Sequence, residues 1–86
     1  MASRLLQHEL RGLDWIDVDS SNLEQVAFVP SFGRLWIAFG GPGKPRTVYV
    51  YFDVPQDVYD GLLAASSKGS YHAARIKNRF GYERIL

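Results

Sequence analysis

The stretch RLWIAFGGPGKPRTVYVYF, residues 34–52, decides the fold of this chain. It contains two runs, 34–39 and 46–52, that are rich in β-branched and aromatic residues, and such residues favour strands. Between them, residues 40–45 concentrate glycine and proline, which mark a loop. We therefore predict two antiparallel strands joined by a hairpin with a mobile tip. The tip fails the phosphate-binding Walker pattern, because a proline follows Lys44 where that pattern needs serine or threonine.

Weaker strand signals precede this pair of strands, and a helix follows it. Residues 14–19 alternate apolar side chains with aspartate, as expected for a short edge strand, and residues 24–29 form another apolar run. From Pro55 onward the spacing of apolar residues becomes helical, with positions 58, 59, 62 and 63 on one side. The sequence therefore predicts a change from sheet to helix near residue 54.

Helices are also predicted at the two ends of the chain. Residues 3–11 form a short amphipathic helix that Ser3 caps and Gly12 ends. Residues 71–79 form a last helix, capped by Ser70, before a tail at 82–86. We expect an α+β fold: a three- to four-stranded antiparallel meander sheet packed against two C-terminal helices, with a short N-terminal helix. Residues 1–13 would be an N-terminal helical extension and residues 14–86 the main domain.

Composition bounds the class of protein. The 86 residues, 47% of them hydrophobic, support one domain with its own core. Because the chain has no cysteine, it forms no disulfide and offers no thiolate to a metal or a substrate. This composition favours a soluble cytoplasmic protein, and no apolar run approaches the roughly 20 residues that span a bilayer.

The basic residues are concentrated near the C-terminus. Residues 66–86 carry five basic side chains against one acidic side chain, whereas residues 1–65 carry five basic and eight acidic ones. On a regular helix over 71–79, one side gathers groups that suit phosphate and base contacts, and Lys68 lies at the helix start. These groups are Tyr71, Arg75, Asn78 and Arg79. The alternative is an ordinary amphipathic helix with a solvated outer face.

Aromatic side chains on the two central strands form the second candidate site. Tyr49 and Tyr51 share one face of their strand. If the aliphatic faces meet the helices, Trp36 stands with them on the far face of the sheet. Such rings can stack nucleobases. The same face could instead be covered by the N-terminal leucines, by a second subunit or by a protein partner.

Catalytic and metal-binding patterns are weak. His8 and His72 lie in different segments, and neither has an acidic partner in a recognisable set. Asp14, Asp17 and Asp19 lack the spacing of a calcium loop. We therefore expect no enzymatic activity, no cofactor and no metal.

Four pieces of the sequence follow one another in a distinctive order. They are a Ser20-Ser21 turn before a strand, the strand Tyr49-Val50-Tyr51, a helix from Val54-Pro55 to Ala64-Ala65-Ser66, and Lys68-Gly69-Ser70-Tyr71 opening the last helix. Together these pieces resemble the KTSC domain. This small family occurs as stand-alone bacterial and phage-type proteins and at the C-terminus of some lysyl-tRNA synthetases, and the resemblance implies an RNA-binding role. The glycine-proline loop at 40–45 looks like an expansion of a usually tighter hairpin.

Two functions follow as hypotheses. The first is RNA binding, in which Lys68, Arg75 and Arg79 contact phosphate while Tyr49 and Tyr51 stack on bases. The second is a phage or bacterial accessory protein that binds a protein partner, or itself, through the N-terminal helix and a face made of Trp36, Tyr49 and Tyr51. Neither hypothesis involves a membrane.

Overall fold

The computed structural model describes residues 3–41 and 43–86, and it confirms the α+β fold. Its centre is a five-stranded antiparallel sheet in which the strands lie side by side in chain order. None of the helices within the described ranges is long and apolar enough to cross a membrane. The strands are β1 (Ile16–Asp17), β2 (Leu23–Val29), β3 (Arg34–Gly41), β4 (Lys44–Tyr51) and β5 (Tyr82–Arg84), and the helices are α1 (Arg4–Arg11), α2 (Gln56–Ala64), α3 (Lys68–Tyr71) and a π-helix (His72–Ile76).

The sheet is covered on both faces. On one face, buried residues of β3 such as Leu35 and Ile37 pack with Leu62 of α2 and Ile76 of the π-helix. On the other face, Leu6 of α1 belongs to a second buried cluster formed mainly by the central strands. Because side chains alternate along each strand, neighbouring residues are divided between these two clusters.

Helix α1 begins and ends as the sequence predicts. The Ser3 hydroxyl accepts a hydrogen bond from the Leu6 N–H at 3.2 Å, and Gly12 follows the last turn. The carboxylate of Glu9 accepts hydrogen bonds from Nε and Nη2 of Arg34, with Nε shared between both carboxylate oxygens, and one from Trp36 Nε1. The N-terminal segment is therefore fastened to β3 by polar contacts as well as by apolar packing.

The predicted sharing of one face by Trp36, Tyr49 and Tyr51 is wrong. Trp36 pairs with Val50, and Tyr49 pairs with Ile37. Directly paired residues lie on the same face of a sheet, so both tyrosines lie on the face of α2 and the π-helix. Trp36 lies on the opposite face, fully buried under α1. The alternation of side chains along one strand decides which of its own residues share a face. The register between two strands decides which residues of the neighbouring strand lie on that same face.

The hairpin between β3 and β4 is tighter than predicted. Gly41 of β3 pairs directly with Lys44 of β4, so the strands continue into the region that the sequence assigns to a loop. An irregularity between Phe39 and Gly41 shifts the register there. Pro42, within the predicted loop, lies outside the described residues. Glycine carries the same backbone donors and acceptors as any residue, so it can complete the ladder at the hairpin end.

The C-terminal region departs most from the prediction. The last helix starts at Lys68, and its cap is Ser67, whose hydroxyl accepts from the Ser70 N–H at 3.3 Å. After one turn it becomes the π-helix His72–Ile76, so the regular helix predicted over 71–79 is wrong. The predicted tail contains β5, which pairs with β4 and completes the sheet.

Candidate functional site

An open pocket lies between the sheet and the C-terminal helical segment. Its volume is about 440 Å³. Strands β3, β4 and β5 supply one side, and α3 and the π-helix supply the other through the small residues Gly69 and Ala73. Aromatic side chains make up much of its lining, and they are Phe39, Tyr49, Tyr51, His72 and Tyr82.

The aromatic side chains form one continuous cluster. The Tyr82 ring lies 5.8 Å from the Tyr49 ring and 5.9 Å from the Tyr51 ring, between centroids. The His72 ring lies edge-on to Phe39 at 5.0 Å and to Tyr51 at 5.6 Å. Tyr51 is only 4% exposed, whereas Tyr82 is 58% exposed. Tyr51 therefore belongs to the floor of the pocket, and Tyr82 presents its ring at the mouth.

A hydrogen bond between two neutral groups fixes the floor. The Tyr51 hydroxyl lies 2.8 Å from His72 Nε2. Burial raises the pKa of Tyr51 to about 12, and the negative charges of ionised Tyr49 and Tyr82 contribute in the same direction. Burial lowers the pKa of His72, and the Lys77 cation contributes in the same direction. At neutral pH, Tyr51 and His72 are therefore both uncharged, and the hydrogen bond between them joins two neutral groups.

The end of the π-helix brings polar groups to the pocket. Lys77 N–H donates to the His72 carbonyl at 2.8 Å, the i to i+5 bond that defines a π-helix. The chain then extends at Lys77, and Asn78 adopts a left-handed conformation with φ of 64°. Asparagine tolerates that region better than most residues. Both residues line the pocket, as do Asn22 and Thr47, which are distant from them in the sequence.

Three of the residues that the sequence proposes for nucleic-acid binding meet at this pocket. They are Tyr49, Tyr51 and Asn78. Arg75 and Arg79 are exposed on the same C-terminal segment. Their role in binding RNA stays a prediction.

Lys68 and Tyr71, also predicted for this site, make other contacts. The Lys68 ammonium donates to the Ala65 carbonyl at 3.0 Å, at the end of α2. The Tyr71 hydroxyl donates to the Val58 carbonyl at 3.0 Å, which joins α3 to α2. Tyr71 is half-buried against the core and does not share an outer face with the arginines.

The sequence analysis did not assign His72, Lys77 or Tyr82 to the site. A weak signal for Tyr82 exists, because Tyr82 and Arg84 alternate with Glu83 as in a short strand. Arg84 pairs with Tyr49, so its side chain lies on the pocket face of the sheet. His72 and Lys77 carry no comparable sequence signal, since their positions depend on the π-helix.

Among the described residues, Lys77, Arg75 and Arg79 form no ion pair with a carboxylate. Arg84 differs, because its Nε donates a hydrogen bond to the Leu86 main-chain oxygen at 2.9 Å. Within residues 3–41 and 43–86, the ion pairs are Arg34 with Glu9 and Arg46 with Glu24, both outside the C-terminal segment. Glu83, the acidic residue of that segment, pairs with Val50 and so lies on the other face. The described part of the chain also has no group of three or more His, Asp or Glu residues that could hold a metal ion.

Fold and pocket define a small α+β domain, with a meander sheet closed on one side by a short C-terminal helical segment. The family model of the KTSC domain matches residues 19–80. The chain therefore belongs to the KTSC domain family, as the sequence resemblance predicts. The match includes the pocket residues from Asn22 to Asn78, while α1, β1 and β5 lie outside it.

Two individual proteins are similar to this chain. A protein of Tsukamurella paurometabola is 36% identical over 63 residues, which cover 73% of this chain and 88% of that protein. The crystal structure of a KTSC domain protein from Yersinia pestis superposes with a TM-score of 0.77 at 27% identity. That superposition covers 87% of this chain and all of the other.

Proposed function

We propose that this domain binds single-stranded RNA at the pocket between the sheet and the π-helix. One observation carries the proposal: an open pocket with a neutral aromatic floor has Lys77 in its lining, and no carboxylate of the described residues forms an ion pair with that cation. An RNA-binding role is also what the resemblance to the KTSC family implies.

Single-stranded RNA offers the two chemical groups that such a site complements. Its bases have exposed flat faces, and its backbone carries a negative charge at each phosphate. Stacking a base on an aromatic side chain is worth about 1–3 kcal/mol. In a duplex the base faces are covered, so the aromatic pocket favours unpaired segments.

The proposed roles follow from exposure and position. Tyr82 and Tyr49 stack on bases, because the Tyr82 ring is exposed and the Tyr49 ring is adjacent to it. Lys77 contacts phosphate at the pocket. Arg84 lies beside Tyr49, and because its Nε donates to the Leu86 main-chain oxygen, it offers its other guanidinium N–H groups to phosphate. Tyr51 supports the floor and does not itself stack, since it is buried and bonded to His72. Arg75 and Arg79 add long-range attraction.

Fluorescence anisotropy with a short labelled single-stranded RNA of mixed sequence tests this proposal. For single strands, the logarithm of the binding constant falls with the logarithm of salt concentration by about 0.7 per phosphate contact. Three contacts therefore give a slope of about −2. Binding with no salt dependence, or no binding at low salt, would refute the proposal and turn attention to a protein partner.

Two pairs of variants locate the site. Tyr82→Ala should weaken RNA binding by about 1–3 kcal/mol, while Phe32→Ala should leave it unchanged. Phe32 is a fair control because it is 61% exposed, close to the 58% of Tyr82, but lies outside the pocket. Lys77→Glu should reduce both affinity and salt slope, and Lys44→Glu, at the far hairpin, should have a smaller effect.

A further inference from the structure

The pocket has the size of one small ligand. Its volume of about 440 Å³ falls in the roughly 300–1,000 Å³ range of pockets that enclose small molecules. We propose, building on the RNA-binding function above, that the unit recognised is one unstacked nucleotide, with its base in the pocket and its phosphate at Lys77. Neighbouring nucleotides of the RNA would then lie outside the pocket, along the basic C-terminal segment, residues 66–86.

Regular elements hold the walls of the pocket, so it is formed before a ligand arrives. Tyr49 and Tyr82 lie on paired strands, and Ala73 lies on the π-helix. At one end α3 approaches the start of β2 so closely that a Cβ on Gly69 would lie 2.8 Å from Asn22 Oδ1. Glycine at 69 permits this close approach, whereas a larger residue would displace the Asn22 side chain, which lines the pocket.

The distribution of charge fits a nucleotide. The floor is neutral at pH 7, because the Tyr51 phenol is protonated and burial lowers the pKa of His72. A nucleobase is likewise flat and neutral, and it loses little by leaving water for an aromatic surface. Lys77 lines the pocket and is exposed, so its ammonium can pair with a phosphate without being buried. A simple apolar ligand would make no use of this cation.

Hydrogen-bonding groups on the walls suit the edge of a base. Asn78 contributes a side-chain amide and Thr47 a hydroxyl, and Asn22 is a second asparagine in the lining. An amide presents a donor and an acceptor side by side, which is the arrangement needed for the polar edge of a base. Asn78, whose backbone is left-handed with a φ of 64°, lines the pocket.

The test uses the four nucleoside monophosphates, the matching nucleosides and inorganic phosphate. Each is titrated into the full chain at low salt and followed by ¹H–¹⁵N NMR, beside single-stranded and duplex RNA of the same sequence. We expect monophosphates to shift the signals of pocket residues at millimolar concentration. Nucleosides should shift the same signals with weaker affinity, by about fivefold, which is the most that one exposed ion pair contributes. Lys77→Ala should remove that difference.

A matched pair of blocking variants separates pocket binding from surface binding. Ala73 and Ala74 are both exposed, but Ala73 lines the pocket and Ala74 does not. Ala73→Trp should fill the pocket and abolish monophosphate binding, whereas Ala74→Trp should retain it. Circular dichroism checks that both variants remain folded.

The outcomes distinguish this inference from the function on which it rests. If single-stranded RNA binds through Lys77 while monophosphates cause no shifts, the single-nucleotide site is refuted and RNA binding stands. The single-nucleotide site is likewise refuted if Ala73→Trp leaves monophosphate binding intact. If neither RNA nor monophosphates bind, both proposals fail. If monophosphates bind and RNA does not, the nucleotide pocket is supported and the RNA function is refuted.

Discussion

Replacing Glu9 tests how strongly α1 is fastened to the sheet. The Glu9 carboxylate accepts from Arg34 Nη2 at 2.7 Å, from Arg34 Nε at 2.8 Å and from Trp36 Nε1 at 2.7 Å. Glu9→Ala leaves the indole N–H of a fully buried tryptophan without an acceptor. An unsatisfied buried donor costs about 1–3 kcal/mol. The Arg34 pair adds less, because both side chains are partly exposed, at 24% and 15%.

We therefore expect Glu9→Ala to lower the free energy of unfolding by about 2 kcal/mol. For a domain of this length that corresponds to a fall in Tm of about 10 °C. The control is Glu24→Ala. Glu24 also pairs with an arginine, Arg46, but at 3.3 Å and with both side chains more exposed, at 42% and 40%. Its removal should cost less than about 1 kcal/mol.

Urea unfolding followed by circular dichroism measures both variants. The acid limb of the stability curve, over which the free energy of unfolding decreases as the pH falls, provides a second check. The hydrogen bonds from Arg34 hold the pKa of Glu9 below its ordinary value of 4.5, and the bond from Trp36 adds to this. Its stabilisation is therefore complete above that ordinary value and is lost as pH falls through the lower folded pKa. Equal losses for the Glu9 and Glu24 variants, or an unchanged acid limb in Glu9→Ala, would refute this reasoning.

Three further predictions concern the helix side of the sheet. Gly61→Ala should destabilise the fold, although alanine favours helices, because its Cβ would collide with the Tyr71 hydroxyl; a more stable protein in urea would contradict this contact. Lowering the pH below 6.5 should reduce the free energy of unfolding, because the unfolded chain protonates His72 there while the folded chain resists it; His72→Phe should flatten that limb. In an alkaline spectrophotometric titration, the last tyrosine to ionise should do so at about 12 and should vanish in Tyr51→Phe, and an unchanged titration would count against the assignment.

The parts of the fold that local chemistry decides are predictable from the sequence. A serine before an amphipathic run and a glycine after it mark α1, and the structure has both caps. Pro55 marks the start of α2, whose inward residues Tyr59 and Leu62 are buried as their spacing predicts. The two central strands follow from their β-branched and aromatic residues. In each of these cases the signal lies within a few residues of the element that it specifies.

The site depends on longer-range features, and so it was only partly predictable. Tyr49 and Tyr51 share a face because of the strand period, but the register of β3 against β4 removes Trp36 from that face. Strand β5 has three residues, too few for a distinctive periodic pattern, and it forms because β4 offers an edge with unpaired backbone groups. Tyr82 therefore reaches the pocket through a pairing that its local sequence only weakly indicates.

The π-helix links the failure of the helical prediction to the pocket itself. In a regular α-helix the Lys77 N–H would bond to the carbonyl of residue 73, but here it bonds to His72, one residue further back. The turn therefore holds an extra residue, and the helix ends after Ile76 with Lys77 and Asn78 directed to the pocket. Such turns have poorer geometry than an α-helix and occur frequently at functional sites. The sequence signals for a regular helix therefore fail at the segment that supplies Lys77 and Asn78, the cation and the amide of the proposed nucleotide site. A functional requirement is expected to override such local signals at a binding site.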